Sequence, residues 1–241
     1  MPDIQVIAHR GASAYAPENT FPSFDLALEM GADALETDVR ATHDGVLVLC
    51  HDASVERISN GHGAVAQLSY AELCRLDVGG WFADRFAGTR IVTAEMFLQH
   101  YGRRCPLVLE IKAGDVYMQL AEMVAAAGLM QSVVFTSFEL DWLESLHGSI
   151  AQARIGYLAR SFDDEVIVRT CRLGFEQICP PARALTAAQV EKAHRLGLTV
   201  RAWGIDSEET QNMALDAGVD GMTTNWPDRL IARLRALGWR Q

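Results

Sequence analysis

Two pairs of charged side chains alternate along predicted strands. The segment LETDV places Glu36 and Asp38 two residues apart, and LEIK does the same with Glu110 and Lys112. Residues at i and i+2 share one face of a strand, so the members of each pair point the same way. Carboxylates on a buried strand are costly unless cations or a metal compensate them. A salt-bridged core network and a metal site both meet that requirement, and the polar residues described next favour the metal site.

Three carboxylates at the ends of predicted strands suit a hard divalent cation. Glu36, Asp38 and Glu110 offer oxygen ligands, which favour Mg²⁺ and are also compatible with Ca²⁺ or Mn²⁺. Zinc is disfavoured because no group of histidines and cysteines has suitable spacing. Arg10 and Lys112 are cations expected on the same rim. With one bound cation, preferably Mg²⁺, this set predicts a receptor for a phosphate ester.

Two histidines are predicted to reach the same rim. His9 ends the first apolar run of the chain. His51 follows a second run, which the turn signal Asp44-Gly45 folds back antiparallel to the strand of Asp38. Imidazoles titrate near neutral pH, so two of them beside a held phosphate suit general acid–base catalysis.

Three further residues are candidates for the edges of the site. Glu18 lies in PENT and is left free by the helix cap expected at Asn19 or Thr20, so it could contact the rim histidine or the metal shell. Trp203 in VRAWGID could form a wall for the organic part of a substrate or pack in the core. Arg201 shares its strand face and could be a second phosphate ligand or a partner for a carboxylate.

Strand-like apolar runs recur along the chain with helical patterns between them. There are eight: Ile4–Ala8, Ala34–Val39, Leu107–Ile111, Val133–Thr136, Arg154–Leu158, Phe175–Cys179, Leu198–Trp203 and Gly221–Thr224. Glycines mark the expected helix ends, at Gly31, Gly128, Gly148, Gly174, Gly197 and Gly218. Eight alternating units in 241 residues predict an α/β fold, a closed (β/α)8 TIM barrel, over a doubly wound open sheet.

One region interrupts this alternation. Residues of about 52–104, between the hairpin after the second strand and the third barrel strand, contain a short helical pattern and a glycine-rich loop. Long connections of this kind are often functional. We predict a small insertion that covers one side of the barrel mouth, and a single domain over residues 1–241.

The composition excludes several classes of partner. The formal net charge of −10 disfavours nucleic-acid binding and attraction to anionic membrane surfaces. No uncharged apolar stretch reaches the ~20 residues that span a bilayer, and no leader precedes the first predicted strand. We therefore expect a cytoplasmic protein without stable membrane association, acting on a small molecule.

An ordered set of motifs runs from His9 to about Pro227. It comprises AHRG, PENT, LETDV, DGVLVLCHD, LEIK and GVDGMTTNWP. Together these motifs resemble the glycerophosphodiester phosphodiesterase family, of the cytoplasmic bacterial type. The segment SVERISNGHGAVAQLSYAELCRLDVG is similar to the characteristic insertion of that family.

This resemblance implies a (β/α)8 barrel that hydrolyses glycerophosphodiesters to sn-glycerol 3-phosphate and an alcohol. The family's metal ligands, acid–base pair and phosphate-binding positions fall on residues already singled out: Glu36, Asp38 and Glu110; His9 and His51; Arg10 and Lys112. It further implies that the substrate's 2-hydroxyl attacks phosphorus and expels the alcohol. Water then opens the cyclic phosphate while the histidines exchange roles.

Two positions depart from the family pattern. Asn225, in TTNWPD, stands where the family usually has an aspartate, and Val92, in RIVTAEMF, stands where it usually has a proline. Asn225 removes one negative charge from the rim of the eighth strand, which bears on substrate preference or on the choice of metal. Neither change affects the predicted catalytic set.

Three other functions stay open from the sequence. A phospholipase-like phosphodiesterase would act on lipids, although the acidic charge argues mildly against it. A barrel that binds phosphodiesters without catalysis would usually have lost one of the catalytic residues. A metal-dependent lyase would account for the carboxylates, but for neither the second histidine nor the insertion.

Overall fold

Strands and helices alternate along the computed structural model, which describes residues 4–114 and 116–240. The strands are β1 (Gln5–His9), β2 (Ala34–Ala41), β3 (Leu47–Leu49), β4 (Leu107–Ile111), β5 (Val133–Ser137), β6 (Arg154–Leu158), β7 (Gln177–Cys179), β8 (Thr199–Ile205) and β9 (Gly221–Thr224). The helices are α1 (Phe21–Glu29), α2 (Tyr70–Leu73), α3 (Ala94–Tyr101), α4 (Tyr117–Ala126), α5 (Leu140–Ser149), α6 (Asp164–Arg172), α7 (Ala187–Arg195), α8 (Glu208–Ala217) and α9 (Pro227–Ala236).

Eight parallel strands close into a barrel, which confirms the predicted fold class. Around the barrel the order is β1, β2, β4, β5, β6, β7, β8 and β9, and β9 pairs with β1. The register places His9 beside Glu36 and Asp38 beside Glu110. These residues lie towards the carboxyl ends of their strands, the end at which the loops of a (β/α)8 barrel build active sites.

The ninth strand, β3, is the predicted return strand. It is antiparallel to the end of β2, with Val39 opposite Leu49. The edge it uses is the one that β1 leaves free, because β1 ends opposite Glu36 while β2 continues to Ala41. The backbone N–H of Cys50 donates to the carbonyl of Asp38 at 3.0 Å. The next residue in the chain, the second candidate histidine, therefore emerges at the barrel mouth.

The segment after β3 has a small core of its own, which includes Val55, Ile58, Val65 and Leu73. The predicted insertion extends too far at its end, since helix α3 packs into the main core. Phe97 and Tyr101 of that helix lie against Phe24 of α1, with ring centroids 4.6 and 5.5 Å away. Helix α3 therefore occupies the position of a regular barrel helix.

The glycine pattern is correct at five of its six positions. Those five glycines have positive φ angles at helix ends, which favour residues without a Cβ. Gly148 differs because α5 continues through it to Ser149. The cap of α1 is Thr20, with Pro22 in the first turn. In the part of the chain that the structure describes, no helix combines the length and the apolar character needed to cross a bilayer.

Candidate active site

Three buried carboxylates meet at the mouth of the barrel. Glu36 and Asp38 come from β2 and Glu110 from β4, and each offers an oxygen within 4.8 Å of the others. Asp38 is fully buried, and its Oδ1 atom accepts no hydrogen bond from the residues that the structure describes. Alternation along β2 and the register with β4 produce this cluster, as the sequence predicts.

The protonation of the cluster shows why a cation fits it. Burial, with the neighbouring charges of Asp38 and Glu110, raises the pKa of Glu36 well above its usual value. Burial and Asp38 likewise raise the pKa of Glu110 to about 7. In Asp38 burial is outweighed by Arg10 and Lys112, which lower the pKa to about 2. Two of the three carboxylates are thus poorly stabilised as anions, and a hard divalent cation with oxygen ligands would compensate them.

Arg10 and Lys112 lie against these carboxylates. Lys112 Nζ is 2.6 Å from Glu110 Oε1 and 3.4 Å from Asp38 Oδ1. Arg10 Nε is 3.1 Å from Asp38 Oδ2, and its backbone N–H donates to Glu36 Oε2 at 3.0 Å. Both cations also line the cavity of the barrel mouth. They are therefore placed to share a phosphate group with the metal position.

The turn after β1 explains how the chain presents this pair of basic residues. Arg10 has a φ of +57°, which is unusual for a residue with a side chain. At Gly11, with φ +83°, a Cβ would lie 2.5 Å from backbone and side-chain atoms of Ser23. The Ser23 hydroxyl donates to the carbonyl of Arg10 at 2.9 Å. The turn therefore needs glycine at position 11, because helix α1 approaches it closely.

His9 is bound by Asn225, one of the two residues that depart from the family pattern. Its Nδ1 atom lies 2.6 Å from Asn225 Oδ1. An amide oxygen can only accept, so Nδ1 carries the proton and Nε2 is left with its lone pair, 4.0 Å from Glu36 Oε2. Burial and the charge of Arg10 lower the pKa of His9 to about 4. The imidazole is therefore neutral at pH 7 and able to accept a proton.

His51 is held by a carboxylate. Its Nδ1 lies 2.7 Å from Asp52 Oδ1, and its carbonyl accepts two hydrogen bonds from Arg40 at 3.0 and 2.9 Å. Burial lowers the pKa of His51, although Asp38 opposes that effect. Asp52 is itself bound by Arg57, whose Nε donates to Oδ2 at 2.6 Å. These contacts fix the ring orientation of His51, which lines the cavity.

Glu18 lies between two arginines rather than against a histidine. It accepts from Arg10 Nη1 at 3.0 Å and from both terminal nitrogens of Arg57 at 2.7 and 2.8 Å. Although burial opposes it, these arginines lower the pKa of Glu18. Glu18 reaches the carboxylate cluster only through Arg10. The predicted contact with the rim histidine or with the metal shell is not what the structure shows.

A cavity of about 270 Å³ joins these groups. His9, His51 and Arg10 lie on its wall together with Glu110 and Lys112. The other side of the cavity is partly apolar. There Trp203 packs edge to face against Phe138 with ring centroids 5.4 Å apart, and its Nε1 donates to the carbonyl of Cys179 at 2.9 Å. The structure thus places Trp203 on the cavity wall, the first of the two positions considered for it.

Comparison with known proteins agrees with this geometry. The model of the glycerophosphoryl diester phosphodiesterase family matches residues 9–229. The chain belongs to this family of phosphoric diester hydrolases. The glycerophosphodiester phosphodiesterase of Caldanaerobacter subterraneus subsp. tengcongensis is 34% identical to it over 239 residues, which cover 97% of this chain and 98% of that relative.

Solved structures of similar proteins have the same fold. A glycerophosphodiester phosphodiesterase from Agrobacterium tumefaciens has a TM-score of 0.84 at 29% identity and covers 95% of this chain and 99% of its own. A phosphodiesterase from Oleispira antarctica, solved in complex with the product sn-glycerol-3-phosphate, has a TM-score of 0.86 at 26% identity and covers 96% of each chain. Both structural matches therefore extend over nearly the whole of this chain.

Several partners in the site were not predicted from the sequence, among them Asp52, Asn19 and Arg57. Asn19, considered above only as a helix cap, has a φ of +57° and donates from Nδ2 to Asp38 Oδ2 at 3.0 Å, while Thr37 Oγ1 donates to its amide oxygen at 2.8 Å. Arg57 connects Asp52 to Glu18. For Asn19 the signal available was its place beside Glu18 in PENT. For Arg57 the sequence offers only a basic residue in a loop.

Proposed function

We propose that this chain hydrolyses glycerophosphodiesters to sn-glycerol 3-phosphate and an alcohol with a divalent cation, preferably Mg²⁺, and with His9 and His51 as the acid–base pair. The main support is that both histidines, two cations and two carboxylates of the buried cluster, Glu36 and Glu110, line one cavity. The Oleispira antarctica relative that binds sn-glycerol-3-phosphate supports the same product. The acidic net charge of −10 favours water-soluble diesters over anionic lipid surfaces.

Glu36, Asp38 and Glu110 would hold the cation. When bound, a divalent cation supplies Lewis-acid stabilisation of negative charge on oxygen. Arg10 and Lys112 bind the non-bridging oxygens of the phosphate through charge-assisted hydrogen bonds. Since both cations already lie within 3.4 Å of a cluster carboxylate, they are held in place before the substrate arrives.

The two histidines divide the proton transfers. His9, with a neutral amide on Nδ1, accepts the proton of the substrate's 2-hydroxyl as that oxygen attacks phosphorus. His51, with the carboxylate of Asp52 on Nδ1, is better able to stabilise an imidazolium and gives its proton to the departing alcohol oxygen. In the second step the roles exchange, and water opens the cyclic phosphate to the monoester.

The test measures release of glycerol 3-phosphate from glycerophosphocholine. We expect turnover by the wild type to stop with EDTA. Adding back Mg²⁺, Mn²⁺ and Ca²⁺ separately should restore it with one of them, which identifies the cation. His9→Ala and His51→Ala should each lower kcat by about 10²–10⁴-fold, the usual contribution of general acid–base catalysis. Turnover that survives both chelation and the histidine substitutions would refute the site.

Two control measurements separate the alternatives. Hydrolysis of phospholipid vesicles in preference to glycerophosphocholine would indicate a phospholipase-like enzyme. A rise in melting temperature with glycerophosphocholine, without any turnover, would indicate a binding protein. His62→Ala, a histidine in the exposed loop of the insertion, is the matched control and should retain full activity.

A further inference from the structure

Arg201 is a buried cation on the wall of the cavity. It belongs to β8 and is only 2% exposed. Its Nε donates to Gln177 Oε1 at 2.9 Å, and its Nη1 donates to Thr223 Oγ1. Among residues 4–114 and 116–240 no carboxylate oxygen lies within the 4.0 Å of an ion pair from it. The alternative of a carboxylate partner for Arg201 is therefore wrong.

One donor group of Arg201 is unpaired. Its Nη2 atom is buried and finds no acceptor in the described part of the chain. A buried donor without a partner is costly, and more so on a charged group. The side chain lies on the cavity wall. An acceptor atom of a molecule bound in the cavity would therefore pair with Nη2.

The surrounding barrel fixes the guanidinium at that position. Gly221 is its register partner on β9 and contributes no side chain. Gly156 of β6 leaves room for Gln177, since a Cβ there would lie 3.0 Å from Gln177 Oε1. Arg201 is thus surrounded by neutral groups, Gln177, Thr223 and the thiol of Cys179, in a space that small residues provide. A phosphate oxygen and a hydroxyl oxygen can both accept from the remaining donor, and the place of Arg201 in the barrel distinguishes them.

The place of Arg201 in the barrel indicates which oxygen this is. In the order of eight strands, β8 lies directly across the barrel from β4, which carries Glu110 and Lys112. The phosphate is expected on the β4 side. Trp203, two residues beyond Arg201 on β8, lies on the Arg201 side and packs edge to face against Phe138, which gives a wall that suits a small, partly apolar fragment. The glycerol of the substrate fits that description.

We propose that Arg201 binds the glycerol hydroxyl that is remote from phosphorus, and thereby selects glycerol diesters over other alkyl phosphodiesters. This inference rests on the proposed function. A site that hydrogen-bonds a substrate hydroxyl discriminates against the analogue that lacks it, because its buried polar group is then left unpaired. Arg201 would therefore determine specificity and take no part in proton transfer.

The experiment compares two substrates in two proteins. Glycerophosphocholine is tested beside the phosphocholine ester of propane-1,2-diol, which keeps the attacking 2-hydroxyl but lacks the remote one. The choline alcohol carries no further hydroxyl, so any difference reports on the glycerol. In the wild type we expect kcat/KM to be about 10- to 100-fold lower for the analogue. In Arg201→Met it should fall by a similar factor for glycerophosphocholine and change little for the analogue.

Controls separate recognition from folding. Arg154→Met removes another barrel arginine, one paired with Glu176, and should preserve the preference. Arg201→Lys, which keeps a charge, provides a second variant if Arg201→Met fails to fold, and it should show a smaller preference than the wild type. An equal loss on both substrates, or an unchanged preference in both Arg201 variants, would overturn the proposal. A wild type that hydrolyses neither substrate would instead overturn the proposed function.

Discussion

At the scale of single residues, the two histidines differ in the group bound to Nδ1. Asn225 gives His9 a neutral partner at 2.6 Å, whereas Asp52 gives His51 a charged one at 2.7 Å. Burial and the charge of Arg10 lower the pKa of His9, and the neutral amide of Asn225 places no full counter-charge at Nδ1 to oppose them. The sequence suggested that Asn225 would affect substrate or metal choice. The structure shows that its contact is with the candidate base.

Asn225→Asp should therefore shift the pH dependence of catalysis. A carboxylate at this position favours imidazolium and raises the pKa of His9 from about 4. The base form of His9 is lost as the pH falls through that pKa, so the acidic limb of kcat/KM should move to higher pH by about one unit or more. The measurement is a pH–rate profile with saturating Mg²⁺.

The control for that shift adds the same charge elsewhere. Asn212, on α8, accepts a hydrogen bond from Arg233 and is not among the residues that line the cavity. Asn212→Asp should leave the acidic limb unchanged. If both variants move it equally, the effect is one of net charge and not of the His9 partner.

The carboxylate cluster predicts a pH dependence of metal affinity. The pKa of Glu110 is raised to about 7, and that of Glu36 is raised well above its usual value. Below these pKa values both hold protons that a cation must displace. Apparent Mg²⁺ affinity should therefore rise by up to about a hundredfold per pH unit where both carboxyls are protonated, a factor of ten for each displaced proton, and level off as the pH passes the higher pKa of the pair.

Calorimetry in buffers of different ionisation enthalpy would measure the protons released. Glu110→Gln removes one of the two titrating groups, so its Mg²⁺ affinity should be lower but less dependent on pH. An affinity in the wild type that is flat between pH 5.5 and 8 would show that these carboxylates do not bind the cation in competition with protons.

At the scale of elements, one arginine of the insertion connects two parts of the site. Arg57 binds Asp52, which orients His51, and also Glu18, which binds Arg10. It is absent from the cavity wall, so it acts through these partners. Single exposed ion pairs contribute little, but a bidentate pair within a network of charges is worth more. The insertion therefore serves to position groups of the site, beyond forming one side of the mouth.

Arg57→Gln should lower kcat by about tenfold or more while KM changes less, because the orientation of His51 matters most when it donates its proton. The loss should be smaller for a p-nitrophenyl ester, whose leaving group hardly needs protonation. Since the Arg57 side chain is 44% exposed, added guanidinium ion should restore part of the activity of Arg57→Ala.

Arg90 provides the matched control within the insertion. It donates to the carbonyls of Arg75 and Leu76 and touches no group of the site. Arg90→Gln should leave kcat unchanged, and guanidinium should have no effect on it. Equal losses in the two variants, with equal falls in melting temperature, would show that Arg57 only stabilises the insertion.

At the scale of the whole molecule, the sequence predicts what depends on periodicity and misses what depends on turns. Period-two alternation and one turn signal suffice to bring Glu36, Asp38 and His51 to a common rim. The contact of Asn19 with Asp38 needs a positive φ that the sequence does not signal. The contact of Arg57 with Glu18 joins residues 39 positions apart, which local patterns do not encode.

The two ends of the barrel divide function from stability. The site occupies the carboxyl ends of the strands, while the C-terminal segment is bound at the opposite end of the barrel. There Arg240 binds both carboxylate oxygens of Asp33 at 2.7 Å and donates to the carbonyl of Gly31. Asp33 also accepts from the backbone N–H of Val6 at 2.8 Å. One carboxylate therefore ties the C-terminal segment to the first strand and to the loop before β2.

Asp33→Asn should reduce stability and spare catalysis. It removes the negative charge of a bidentate, partly exposed ion pair, so the free energy of unfolding should fall by about 1–2 kcal/mol. Urea unfolding would measure this, and the loss should be smaller in an Arg240→Gln background, where the pair is already broken. Because the substitution lies at the far end of the barrel, kcat/KM for glycerophosphocholine should stay within about twofold of the wild type. A large loss of activity at full stability would show that the two ends are coupled.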